Sequence, residues 1–302
     1  MNKRNNELKI SVVVPNYNHA SYLQQRLTSI YNQTYSNFEV IIIDDASTDG
    51  SRDIIEQYRA HPKTKQIIYN DVNTGTPFRQ WRTGIEYSLG DYIWIAESDD
   101  WAAETFLLTL TSSLQNHTNI GICFCGSNWV NERGEAGQDL SIYSDGFFRP
   151  GKEEIRKHMV KYCTVQNASA TLIKTELAKK YTKAIVDYKA CGDWLMYLNV
   201  LNNSNVLFVG QKLNNFRWYH NNVSNNASNN GTWITEGLKV LLFSKAYQVN
   251  YSRIELKDIL NYWLAKTDQF KFPRKQKLKQ MTRFYFFLFV CRQFLWANNR
   301  AN

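Results

Sequence analysis

Three short polar clusters stand out by where they fall in the chain. Pro15-Asn16-Tyr17-Asn18 follows an apolar run at residues 10–14, and Asp44-Asp45-Ala46-Ser47-Thr48-Asp49 follows another at 38–43. Glu97-Ser98-Asp99-Asp100 follows a third at 92–96. Each run is short, continuous and rich in β-branched or aromatic residues, which reads as a buried strand. In an open parallel sheet, ligands gather outside the carboxyl ends of the strands. Carboxylates on such a ridge repel one another unless a cation or a donor-rich ligand lies between them. A base with an N–H donor, a ribose and a hard divalent cation together satisfy them. Oxygen-only ligands suit Mg²⁺ or Mn²⁺ rather than zinc. The five cysteines form no C-x-x-C pair and fit free thiols in a reducing cytosol.

The elements that must hold these clusters follow from the hydrophobic period. Residues 21–33 carry Tyr22, Leu23, Leu27, Ile30 and Tyr31 at helical spacing, and Asp49-Gly50-Ser51 opens a helix through Tyr58. Strand or helix segments at 66–69, 79–89, 92–96, 103–114 and 120–124 continue the alternation. This predicts an α/β fold with a mostly parallel, Rossmann-like sheet covered by helices on both faces. After Gly126 the alternation loosens: 131–148 reads as a long loop or hairpin, and 152–161, 175–181 and 193–201 as helices. Residues 206–209 read as a strand, and the Asn- and Ser-rich stretch 221–230 as a mobile loop. From Thr232 onward the chain reads as helical. The division expected is a domain over 1–230, with a regularly alternating half at about 1–126 and a looser half at 127–230. An appended C-terminal helical segment covers 231–302.

The 302 residues suffice for one large domain or two smaller ones, with 43% hydrophobic residues in the globular range. Neither a leader-like apolar segment nor a membrane-spanning run is apparent, which predicts a cytoplasmic chain. The net charge of +9 is concentrated at one end: eight basic and no acidic residues follow Asp268, leaving +1 for everything before. A nucleic-acid surface would have to be that tail. The tail then runs Phe284-Tyr285-Phe286-Phe287-Leu288-Phe289-Val290, which no nucleic-acid patch needs, so no nucleic-acid partner is expected.

The ordered set V-V-V-P-N-Y-N, D-D-A-S-T-D-G-S, E-S-D-D and G-D-W, over roughly residues 8 to 225, resembles family 2 of the GT-A-fold glycosyltransferases. The resemblance implies a nucleotide-sugar site in which Asp45 reads a uracil-type base and Tyr17, after Pro15 and Asn16, stacks on it. It implies that Asp99 lies nearer the ribose, that Asp100 binds the metal, and that Asp193 of G-D-W is the catalytic base. It also implies a glycan or lipid-linked glycan acceptor in polysaccharide biosynthesis. A metal bridging the diphosphate oxygens stabilises the leaving group without proton transfer. The acceptor hydroxyl must lose its proton as it attacks, and a single base opposite the leaving group gives inversion. A carboxylate at Asp45 accepts the N3–H of uracil or thymine, which favours UDP- or dTDP-sugars; guanosine diphosphate sugars come next.

One departure concerns the diphosphate arginine. The family's A-R-N-x-G is replaced by Arg79-Gln80-Trp81-Arg82-Thr83-Gly84, where Arg79 or Arg82 would have to substitute. Arg217-x-x-His220 resembles a late R-x-H element, implying that His220 completes the metal shell or contacts the diphosphate. A nucleotidyl- or phosphotransferase is the rival enzyme, but it needs a Gly-rich phosphate loop that Asn16-Tyr17-Asn18-His19 lacks. A non-catalytic nucleotide-sugar-binding or scaffold protein is the other rival. The basic-aromatic tail has two main readings: a helix on an anionic membrane surface, making the protein peripheral on the inner face of the plasma membrane, or a helix packed on the catalytic domain.

Overall fold

The structure is a computed structural model that describes residues 7–218, 223–270, 272 and 274–300. Strands β1 (Ile10–Asn16), β2 (Phe38–Asp44), β3 (Thr64–Tyr69) and β4 (Tyr92–Ile95) pair in parallel in the order β3-β2-β1-β4. Their side chains alternate between two cores, as the period of two in a strand requires. Val13, Ile41, Ile43, Ile93 and Ile95 enter one core; Val12, Val14, Val40, Ile42 and Trp94 enter the other. Helices cover both faces, which is why β1, β2 and β4 read as largely apolar runs, whereas β3, at the end of the sheet, starts with the polar Thr64-Lys65-Gln66. On the second core lie α1 (Ala20–Tyr31), α2 (Ser51–Glu56) and α4 (Phe106–Gln115); α3 (Pro77–Tyr87) covers the first.

Past β4 the sheet becomes mixed. The remaining strands are β5 (Trp101–Ala102), β6 (Ile120–Val130), β7 (Phe147–Pro150), β8 (Thr171–Lys174) and β9 (Asn205–Arg217). β8 runs antiparallel to both β4 and β6, β9 is parallel to β6, and β5 and β7 pair antiparallel with β9. β6 and β9 extend well beyond the apolar cores at 120–124 and 206–209. Their outer halves are polar where the sheet meets solvent, so hydrophobic pattern alone stops short. Between them lie the short helix α5 (Gly151–Glu154), continued by a π turn through Met159, then α6 (Thr175–Tyr181) and α7 (Gly192–Leu201).

The C-terminal part is α8 (Val223–Asn229), α9 (Thr232–Phe243), α10 (Arg253–Gln269) and α11 (Arg274–Arg300). Residues 223–229 form helix α8 rather than a loop. Asn and Ser favour other conformations, but Ala227, 4% exposed, is buried, and the helix packs on α9. α9, α10 and α11 enter the first core alongside α7. The indole of Trp194 on α7 is stacked with Trp233 of α9 at 5.6 Å and with Trp263 of α10 at 6.2 Å. The Trp194 and Trp263 N–H groups donate to the carbonyls of Met159 and Val160. Such aromatic pairs contribute about 0.5–1.5 kcal/mol each beyond area burial.

Candidate active site

The carboxyl ends of β1, β2 and β4 open into a cleft of about 540 Å³, a volume in the range of small-molecule sites. Pro15, Tyr17, Asp45, Asp99, Asp100 and Asp193 all line it. Segments far apart in sequence therefore present their polar residues to one space.

The first wall is a cross-linked pair of loops. Asn16 donates to Asp44 at 2.9 Å, Asn18 accepts from the Thr48 N–H, and Asp49 accepts from the N–H of Ala20 and from Ser51. Asp49 thus ties the starts of α1 and α2 together. Asp44 is fully buried and accepts from Asn16, the Ser47 N–H and Arg52. Tyr17 lines the cleft and is 43% exposed.

Asp45, 1% exposed, accepts from Asn70 at 2.6 Å and from both the backbone N–H and the hydroxyl of Thr74. An ionised carboxylate offers about four acceptor sites, so one remains for a ligand. These bonds also fix the 70–76 loop, where Gly75 adopts a positive φ of 74°.

Asp99 and Asp100 are held from β9. The Asp100 carboxylate accepts the Arg217 N–H at 2.9 Å and the Asn167 amide at 3.2 Å. The Arg217 guanidinium donates to the carbonyls of Asp99 and Glu132 and lies over the rings of Tyr22 and Trp101. Burial and the neighbouring Asp99 charge push the Asp100 carboxyl well above the usual range. Glu97, bonded to the Trp81 N–H at 2.7 Å, is pushed up to about 8 mainly by burial.

Beneath them lies Arg26, 0% exposed and stacked on Trp94, with none of its guanidinium nitrogens hydrogen-bonded among the described residues. Burial lowers it to about 10, while the charges of Asp100, Glu97 and Asp99 oppose that shift. An unpaired buried cation is costly by itself; here it offsets part of the carboxylate repulsion.

Among the described residues no three His, Cys, Asp or Glu side chains converge as a ligand set. The raised Asp100 beside Asp99 is the donor chemistry of a Mg²⁺ or Mn²⁺ site that takes one or two carboxylates and completes its shell with phosphate oxygens and water. His220 lies outside the described residues.

Asp193 opens α7. Burial pushes its carboxyl up to about 7; the Trp194 N–H opposes this and the Glu236 charge adds to it. Gly192 before it has a steric reason: a Cβ there would come within 2.8 Å of the Phe78 ring. The loop leading into α7 is clasped from α9. Glu236, 6% exposed, accepts the N–H groups of Lys189 at 2.8 Å, Ala190 at 2.9 Å and Cys191 at 3.0 Å.

The structure does not bring Arg79 to the cleft. It pairs with Asp187 at 3.5 Å on the surface, and Arg82 pairs with Glu86. The inner face of α3 is Phe78, Trp81 and Ile85, which turns Arg79 and Arg82 outward. Lys189 lines the cleft instead, its ammonium donating to the Gly75 carbonyl at 2.8 Å, and His19 lines it beside Ser98. No motif flagged Lys189, His19 or Glu236. The spacing of Phe78, Trp81 and Ile85 is the sequence signal that places Arg79 on the outward side of α3.

The sequence profile of glycosyl transferase family 2 matches residues 11–181. An abequosyltransferase of Salmonella typhimurium is 38% identical over 135 residues, covering 43% of this chain and 38% of that protein. A poly(ribitol-phosphate) beta-glucosyltransferase of Bacillus spizizenii is 35% identical over 116 residues, covering 37% of this chain and 18% of that protein. The chain thus spans well under two thirds of these relatives' lengths. In fold it is similar to S. aureus TarS in complex with UDP-GlcNAc, with a TM-score of 0.68, 17% identity and coverage of 94% and 82% of the two chains. It is also similar to the Pyrobaculum calidifontis mannosyltransferase in complex with GDP-Man and Mn²⁺, with a TM-score of 0.59, 15% identity and coverage of 97% and 88%. With the profile spanning more than half of its length, the chain belongs to glycosyl transferase family 2.

Proposed function

We propose that the protein transfers a glycosyl group, with inversion, from a UDP- or dTDP-sugar to a hydroxyl of a glycan or lipid-linked glycan in polysaccharide biosynthesis. The observation that carries this reading is the meeting of Asp45, Asp99, Asp100 and Asp193 in one cleft. Asp45 has one acceptor site left for a base N–H, and Tyr17 offers a ring beside it. Asp99 and Asp100 would hold Mg²⁺ or Mn²⁺, which when bound neutralises charge on the leaving diphosphate. Lys189 adds a second positive charge at the same cleft. Asp193 takes the acceptor proton; a base titrating near neutrality combines the ionised form with useful proton affinity. The UDP-GlcNAc and GDP-Man complexes of the two structural neighbours support a nucleotide-sugar donor, and the poly(ribitol-phosphate) beta-glucosyltransferase relative supports a polymeric acceptor.

Calorimetric titration with uridine, thymidine, guanosine and adenosine diphosphates tests the donor assignment. Tightest binding is expected for the uridine or thymidine nucleotide, weakened in Asp45→Ala. Tightest binding to the adenine nucleotide, which lacks the N–H in the matching place, would overturn it.

A further inference from the structure

Helix α11 has two unlike faces. Phe284, Phe287 and Cys291 point inward and are at most 2% exposed, in the core shared with α7 and α9. Leu278, Tyr285 and Phe289, spaced seven and four residues apart, form one outward stripe, with Phe286 beside it. All four are more than half exposed, where lone surface apolar residues need no explanation but a contiguous run does. Lys279 and Arg283 fall two and one helical turns before Phe286 on the same flank. The last acidic residue, Asp268, is already paired with Lys277. The packing and membrane readings of this tail are therefore compatible: different faces of one helix serve each.

We propose that the outward stripe of α11 docks the protein on an anionic lipid surface. No helix among the described residues is long and apolar enough to cross a membrane, so α11 would lie in the plane of the interface, aromatic rings at headgroup depth and ammonium groups among the phosphates. Charge selects this occupant over a second copy of the chain. Two such stripes face to face would oppose basic residues with no acid following Asp268 to pair them, whereas anionic headgroups complement them along the helix.

The test is co-sedimentation of the full chain with phosphatidylglycerol-containing vesicles and with pure phosphatidylcholine vesicles, at low and high salt. Removing α11 would open the core, so the variants are Phe286→Ser with Phe289→Ser, and Lys279→Glu. Both change exposed side chains, and their melting temperatures should match the parent. Binding is expected only to the anionic vesicles, screened by salt, and about tenfold or more weaker in the double serine variant. Negligible binding of the parent at low salt, or equal binding of parent and double variant, overturns the proposal. Self-association abolished by the serine substitutions, with no vesicle binding, assigns the stripe to a second copy and also overturns it.

Discussion

The Glu236 carboxylate accepts the N–H of Cys191 at 3.0 Å, two residues before Asp193, and takes the two preceding N–H groups as well. A side chain from α9, outside the family-matched region, thereby sets where the candidate base begins its helix. Replacing Glu236 by Ala leaves three N–H groups without their acceptor. We expect turnover to fall about 10²-fold, as for a misplacement on the order of 1 Å, with donor affinity nearly unchanged. Glu236→Gln, keeping one acceptor oxygen, should recover part of it. Steady-state kinetics on both variants decide; equal loss of donor affinity and turnover would instead mean general unfolding of the cleft.

Asp193 makes two linked predictions. As a base it must be ionised, so turnover at saturating metal should rise with pH along a limb near 7 and level off above it. In Asp193→Asn turnover should drop about 10²–10⁴-fold and that limb should vanish. The stability effect has the opposite sense. Because the folded carboxyl is raised from 3.8 to about 7, the native state holds a proton that the unfolded chain releases, and this contribution is lost as pH climbs between those values. Asp193→Asn should therefore melt higher than the parent at pH 8, by about 2–4 °C per kcal/mol recovered, with the gap closing towards pH 4. A melting temperature unchanged at both pH values would contradict a carboxyl raised to about 7.

Asp100→Ala should abolish metal-dependent nucleotide release while leaving the fold intact. Its removal frees the Asn167 amide and the Arg217 N–H, each losing a charged acceptor at a cost of about 1.5–3 kcal/mol. Circular dichroism should stay native, and turnover in Mn²⁺ should fall to the level seen in EDTA. Equal activity of the parent in EDTA and in Mn²⁺ would remove the metal from the mechanism.

Lys189 and Arg79 divide the question of the diphosphate cation. Lys189→Ala should weaken nucleoside diphosphate binding about tenfold while barely affecting the nucleoside, since the loss is one charge-assisted contact. Arg79→Ala, which breaks only an exposed pair with Asp187, should change affinity by less than about twofold. The reverse ranking in a calorimetric titration would return the role to α3.

The N-terminal sheet was legible because helices cover both of its faces, so β1, β2 and β4 appear as largely apolar runs, while the edge strand β3 is half polar. The acidic ends of those strands were legible for a second reason: strand order forces them to one edge. What the chain hid is tertiary. Glu236 reaches its partners across 45 residues of sequence, and Arg217 braces Asp99 and Asp100 from a strand whose outer half is polar. The outward position of Arg79 was hidden because residues one helical turn apart were considered without asking which face the apolar spacing had already committed inward. Helix α8 was hidden because Asn and Ser describe a loop locally, whereas burial of Ala227 decides otherwise.

The indoles of Trp194, Trp233 and Trp263 also limit how this chain can be recombined. Exchanging C-terminal parts between members of the family presumes a seam where few contacts cross. A crossover near residue 230 would cut through a stack of three rings and separate Glu236 from the loop it clasps. The smallest transplantable module that keeps the α7 loop in register therefore reaches at least to Trp263. Inherited changes to α9 or α10 would have to be matched on α7, so these helices should diversify together rather than as an interchangeable appendage.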